Sequence, residues 1–165
     1  MADIWHFYWI YNKVIKEGEF VTLDFGCIYK GYCSDITRSF MVGQASKEMK
    51  RLYNIVKEAQ IRAIKAVKAG VKACEIDKVA RDYIESKGYG KYFTHSTGHG
   101  VGIEVHDPIS VSRFSDTILE ENMVITVEPG IYIPGVGGIR IEDDVLVKND
   151  GFEVLTKASK KLMMI

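Results

Sequence analysis

No apolar run in this 165-residue chain approaches the ~18–20 residues needed to span a bilayer. Neither sign of charge dominates, with 22 Lys and Arg against 22 Asp and Glu. A balanced chain offers nothing to draw it to nucleic acid or to an anionic membrane, so neither is expected as a partner. Cysteine is scarce: Cys27, Cys33 and Cys74 make an odd count and form no CxxC pair. That excludes both a disulfide scaffold and a zinc ribbon, and makes a reducing cytoplasm the expected compartment. The opening "IWHFYWIY" (4–11) lacks the basic n-region and small-residue cleavage site of a signal peptide. It reads as a buried strand, or as an irregular start that covers apolar surface, with His6 packed rather than ligating. Internal repeats of short period and low-complexity segments are also missing.

What remains is a single domain by length, residues 1–165, with an atypical segment at 1–12. Its 47% hydrophobic and 27% charged residues are those of a soluble globular protein. "SKEMKRLYNIVKEAQIRAIKAVKAG" (46–70) has helical periodicity, with Ser46 as N-cap and Gly70 as the stop. A second helix is predicted over about 75–87. "VTLDFGCIYKGYCSDITR" (21–38) reads as a β-hairpin. A two-residue loop at Tyr29 and Lys30 would set Asp24 opposite Asp35 and Thr22 opposite Thr37. From residue 91 the pattern turns to strands. "VGIEVHDP" (101–108) alternates, and "NMVITVEPGIYIPGVGGIRIEDDVLVKNDG" (122–151) reads as a strand, a turn, a short strand, another turn and one long strand. The expectation is an α+β fold whose antiparallel or mixed sheet is covered on one face by helices.

Several polar residues interrupt these apolar strands: Asp24, Asp35, His99, Glu128 and Glu142. Two facing aspartates would destabilise a hairpin unless something reversed their repulsion. Glu128 precedes Pro129, which biases it to an extended strand end. In "GGIRIEDDVLV" the even residues Arg140, Glu142 and Asp144 share a polar face, with Arg140 placed to stabilise an ionised Glu142. Asp143 falls among the apolar parity and is expected at a bulge or in solvent. "HSTGHGVGIEVH" supplies His95, His99 and His106. The spacing of His95 and His99 would suit zinc on a helix, but Gly98, Gly100 and Gly102 argue against a helix and the HExxH glutamate is missing. His106 reads as a neutral donor or proton shuttle. Four carboxylates and one imidazole suit divalent cations, and the four carboxylates would neutralise two of them. Oxygen-rich ligation with one nitrogen fits Mn²⁺ best, with Co²⁺, Fe²⁺ or Zn²⁺ as alternatives.

"LDFGCIYKGYCSDITRSF", "HSTGHGVGIEVHDP" and "MVITVEPGIYIPGVGGIRIEDDVLV" together resemble the M24 metallopeptidases of pita-bread fold, which include prolidases, aminopeptidase P and methionine aminopeptidases. "VEPGIYIPG" and "GGIRIEDD" resemble the Xaa-Pro dipeptidase branch more closely. The resemblance runs from about Lys13 to the C-terminus. It implies that Asp24 binds one metal, that Asp35 and Glu142 bridge two, and that His99 and Glu128 hold the other. It implies catalytic roles for His95 and His106 at the substrate and for Arg140 behind the acidic ligands. It further implies hydrolysis of the Xaa-Pro bond in dipeptides or short peptides by a metal-bridging hydroxide, with Glu128 carrying the proton.

The family's catalytic domain carries a further segment before its first metal aspartate, whereas 23 residues precede Asp24 here. The expectation is an N-terminally truncated catalytic domain whose uncovered apolar sheet surface drives homo-oligomerisation. The alternatives are a catalytically impaired remnant acting as a metal-binding or interaction module and, less favoured, a methionine aminopeptidase.

Overall fold

The computed structural model describes residues 3–6, as backbone, and residues 13–165. Three antiparallel strands open the chain: β1 (Asp3–His6), β2 (Phe20–Tyr29) and β3 (Tyr32–Met41). Two helices follow, α1 (Lys47–Ala66) and α2 (Ala73–Ser86). The rest is β: β4 (Gly98–Gly100), β5 (Asp107–Val111), β6 (Val124–Val127), β7 (Gly130–Ile133), β8 (Gly137–Arg140), β9 (Asp143–Lys148) and β10 (Gly151–Val154). A five-stranded sheet has the order β10-β9-β6-β4-β5, and β7 pairs with β8. The fold is α+β, as expected. The segment 4–11 forms a strand over Asp3–His6, paired with β2. The rest of that segment and the His6 side chain lie outside the described residues.

Both helices are amphipathic and bury their apolar stripes against the five-stranded sheet. Leu52, Val56, Ala59 and Ala63 of α1 and Ile76, Ala80 and Ile84 of α2 join Ile125, Val127, Val145 and Val147 in one core. Ser46 caps α1 as expected, its side chain accepting from the Met49 amide. The helix stops at Ala66, short of Gly70, because Val67 is already extended. Gly70 serves the following turn instead, at φ +85°.

The hairpin differs from its expected register. The loop is Lys30–Gly31, with φ values of 51° and 85°. Positive φ at both central residues is the type I′ geometry that matches the strands' twist, and Gly31 is the residue that allows it. Tyr29 therefore faces Tyr32, Asp24 faces Thr37, Gly26 faces Asp35, and Thr22 faces Ser39. Asp24 and Asp35 are diagonal neighbours rather than a direct pair. Two other strands also break. Residues 101–106 form a loop, and pairing with β4 resumes at Asp107 after a bulge between His99 and Gly100. The expected long strand splits at Ile141–Glu142, since β8 pairs with β7 while β9 pairs with β6.

Candidate metal centre

That split matters because it sets Glu142 where two sheets meet. Its backbone amide donates to the Thr37 carbonyl of β3 at 3.2 Å. Its carboxylate accepts from the Thr37 hydroxyl at 2.5 Å. Asp35 arrives from β3, His99 from β4, and Glu128 from the residue just after β6. One ligand atom each from Asp35, His99 and Glu142 lie within 4.8 Å of one another. His99 Nε2 is 3.6 Å from Asp35 Oδ2 and 3.4 Å from Glu128 Oε1. Asp24 approaches from β2, its Oδ2 bonded to Arg140. The structure thus brings Asp24, Asp35, His99, Glu128 and Glu142 to one place.

The donor set fits a divalent metal. His99 Nδ1 lies 2.9 Å from the Gly100 carbonyl, which can only accept, so Nδ1 carries the proton. Nε2 is left with a bare lone pair directed at two carboxylates. A lone pair facing carboxylates is repulsive unless a metal cation or a carboxyl proton sits between them, and anchoring the far nitrogen on a backbone carbonyl is what metal-ligating histidines do. Burial lowers the pKa of His99, which favours the neutral ligating form. Burial, with repulsion from Asp24 and Asp144, lifts Asp35 to about 7. Burial also lifts Glu128 to about 8, against the opposing pull of Arg140. Glu142 is pushed well above the usual carboxylate range by burial and by Glu128 and Asp35. Carboxylates this reluctant to ionise together are stabilised by cations, which replace mutual repulsion with attraction.

His99 is aimed by its own strand. A Cβ on Gly98 would meet the Thr126 carbonyl at 1.9 Å, so only glycine lets β4 approach β6 this closely. The Thr126 hydroxyl then accepts from the His99 amide at 3.0 Å and donates to Glu128 Oε1 at 3.3 Å.

The expected catalytic histidines and arginine line an adjoining cleft of about 840 Å³, together with His99 and Glu128. The His106 ring packs against that of His99, with centroids 4.1 Å apart and the planes tilted by 36°. His95 Nδ1 donates to the Ser96 carbonyl at 2.7 Å, so its Nε2 accepts from the Tyr132 hydroxyl at 3.0 Å. Burial drops His95 to about 4, leaving it neutral. Arg140 serves Asp24 and Glu128 rather than Glu142, contrary to the reading from their spacing. The reason is the turn of the chain at Ile141, which separates neighbours of equal parity. Burial alone would lower Arg140, but Tyr132, Asp24 and Glu128 outweigh it and hold the guanidinium charged.

Sequence reasoning missed Tyr132, which accepts from Arg140 Nη1 at 2.9 Å and so couples Arg140 to His95. Its alternation with Ile131 and Ile133 in "GIYI" was the available signal. It also missed Asp77 and Arg81 of α2. Asp77 accepts from Arg81 at 2.8 Å and from Thr97, while Arg81 donates to the Phe93 and His95 carbonyls. This pair holds the segment that carries His95. Asp143, expected at a bulge or in solvent, is instead fully buried at the start of β9 and ion-paired with Arg38 and Lys160. No helix among the described residues is long and apolar enough to cross a membrane.

Residues 2–149 match the model of metallopeptidase family M24. The chain is 51% identical over 154 residues to an uncharacterized peptidase, YqhT, of Bacillus subtilis, covering 93% of this chain and 44% of that protein. Among solved structures, the Xaa-Pro dipeptidase from Bacillus anthracis superposes with a TM-score of 0.91 at 57% identity, over 94% of this chain and 44% of that one. The prolidase from Pyrococcus furiosus gives 0.87 at 49% identity, over 90% of this chain and 44% of that one. The chain therefore spans less than half the length of these relatives, and within that span its α+β architecture is that of the pita-bread peptidases. By the match of the family model over most of its length and by its likeness to these relatives, the chain belongs to metallopeptidase family M24.

Proposed function

We propose that the chain carries the metal centre of a dinuclear peptidase that hydrolyses the Xaa-Pro bond in dipeptides or short peptides. The observation that carries this reading is the bare Nε2 of His99 facing Asp35 and Glu128, with one ligand atom each from Asp35, His99 and Glu142 within 4.8 Å of one another. Asp24, Asp35, His99, Glu128 and Glu142 would hold two divalent ions, with Mn²⁺ the preferred ion for so oxygen-rich a set. When bound, the ions supply Lewis acidity that polarises the scissile carbonyl and brings a water molecule's pKa toward neutrality.

The chain's own groups do the rest. Glu128, with its raised pKa and its place on the cleft wall, takes a proton from the attacking water and returns it to the leaving imino nitrogen of proline. His106 and the neutral His95 present N–H or lone-pair groups to the peptide in the cleft, where fixed dipoles stabilise developing oxyanion charge. Arg140 holds Asp24 and Glu128 in place through its ion pairs with them. The relatives named Xaa-Pro dipeptidase and prolidase support the proline preference. The cytoplasm suits three free cysteines.

The experiment is hydrolysis of Gly-Pro and of Met-Ala dipeptides by the chain with and without added Mn²⁺. Mn²⁺-dependent release of proline, lost in Asp35→Ala, supports the reading. Cleavage of Met-Ala alone, or activity retained by Asp35→Ala, refutes it.

A further inference from the structure

Asp143 follows Glu142 directly, yet its carboxylate faces away from the metal cluster's ligand atoms and into a second polar assembly. Its Oδ1 accepts from Arg38 Nη2 at 2.7 Å. Its Oδ2 accepts from Lys160 Nζ at 2.6 Å and from Gln60 Nε2 at 2.9 Å. These partners come from β3, α1 and the C-terminal segment. Two cations on one fully buried carboxylate exceed what neutralising it requires.

The surplus is explained by what else these groups grip. Arg38 Nη1 donates to the Glu142 carbonyl at 2.5 Å and to the Thr37 carbonyl at 2.8 Å. Thr37 in turn holds the Glu142 carboxylate through its hydroxyl. Gln60 Nε2 also reaches the carbonyl of Val127 at 3.4 Å, one residue before Glu128. The other Arg38 donors hold the Ala158 and Ser159 carbonyls, which keeps Lys160 in reach of Asp143. One buried assembly therefore fastens the backbone at two ligand carboxylates. A pair that served stability alone could be replaced by packed apolar groups at little loss. Fixing ligand orientation from behind needs directional donors, and the planar fork of arginine provides them.

We infer that Arg38, Asp143, Lys160 and Gln60 are positioning residues that fix Glu142 and Glu128 and thereby set the site's affinity for divalent metal. This inference rests on the metal-centre reading proposed above. Arg38→Lys keeps the charge but cannot hold Glu142, Thr37 and Asp143 together. Lys160→Met removes the second cation and leaves the Arg38–Asp143 pair, so it folds even if the first variant does not. Ile84→Val, in the α2 core away from the assembly, is the control for general destabilisation.

The test is calorimetric titration of the chain and these variants with Mn²⁺, with melting temperatures measured in chelator. Mn²⁺ affinity is expected to fall about 10-fold or more in Arg38→Lys and several-fold in Lys160→Met. Lys160→Arg should restore it, and Ile84→Val should keep the wild-type value. Wild-type affinity in both Arg38→Lys and Lys160→Met, whatever their melting temperatures, overturns this inference alone. A wild-type chain that takes up no Mn²⁺ overturns the metal-centre reading and this inference with it.

Discussion

Stripping metal from the chain should make its stability fall as pH rises through neutrality. Asp35 titrates at about 7 and Glu128 at about 8 in the fold, because burial and neighbouring carboxylates oppose their ionisation. In the unfolded chain both ionise near pH 4. The folded chain therefore retains protons that the unfolded chain has lost, and stability declines with pH wherever that holds. The histidines act in the opposite sense but at lower pH: His95 is depressed to about 4 and His99 is also lowered, so their contribution is lost as pH falls below about 6.5. From about pH 6.5 to about pH 8.5 the carboxylates dominate. Integrating over that window, Asp35 loses about 1 kcal/mol and Glu128 about 2 kcal/mol. For a chain of this size the melting temperature should drop by roughly 5–10 °C. The assay is a thermal melt followed by circular dichroism at several pH values, with excess chelator and then with saturating Mn²⁺. The Mn²⁺-loaded chain should hold its melting temperature or gain, since the metal takes the place of the protons and binds more tightly as pH rises. A chelated chain that is more stable at pH 8.5 than at pH 6.5 refutes the electrostatic account of the cluster.

Three further outcomes follow from other parts of the structure. Thr37→Val removes the hydroxyl between Glu142 and Arg140 at constant shape; it should weaken Mn²⁺ binding about 10-fold, read by competition with a fluorescent chelator. Gly98→Ala would force β4 away from the Thr126 carbonyl; peptide hydrolysis should be abolished while far-ultraviolet circular dichroism stays helical, and normal turnover would show that His99 needs no such approach. Leu23 and Phe25 stand 47% and 39% exposed on the outer face of β2; light scattering at micromolar concentration should show self-association that Phe25→Ser reduces, and a stable monomer would contradict it.

The residues of the candidate site were legible because acidic and imidazole groups on apolar strands stand out against the alternation around them. Face assignment survived a wrong hairpin register, since moving the loop from Tyr29–Lys30 to Lys30–Gly31 shifts the pairing by two and keeps Asp24, Asp35 and Thr37 on one side. The direct opposition of the two aspartates did not survive, because turn geometry rather than charge fixes register. Parity failed where the chain leaves one sheet for another. Arg140 and Glu142 look like partners in an unbroken strand, but the bend at Ile141 hands Arg140 to Asp24 and Tyr132. Asp143 was illegible for a different reason: its partners Arg38, Gln60 and Lys160 are distant in sequence, and no local pattern announces a buried charge assembled from three elements.

The central claim is that the convergent carboxylates and His99 form a two-metal site. Its most direct test is the number of ions the chain holds. Isothermal titration with Mn²⁺, checked by elemental analysis after desalting, should give two ions per chain for the wild type and fewer for Glu142→Gln, which removes one of the proposed ligand carboxylates. A wild-type chain that binds no Mn²⁺, or a Glu142→Gln variant that binds two ions as tightly as the wild type, would contradict the account.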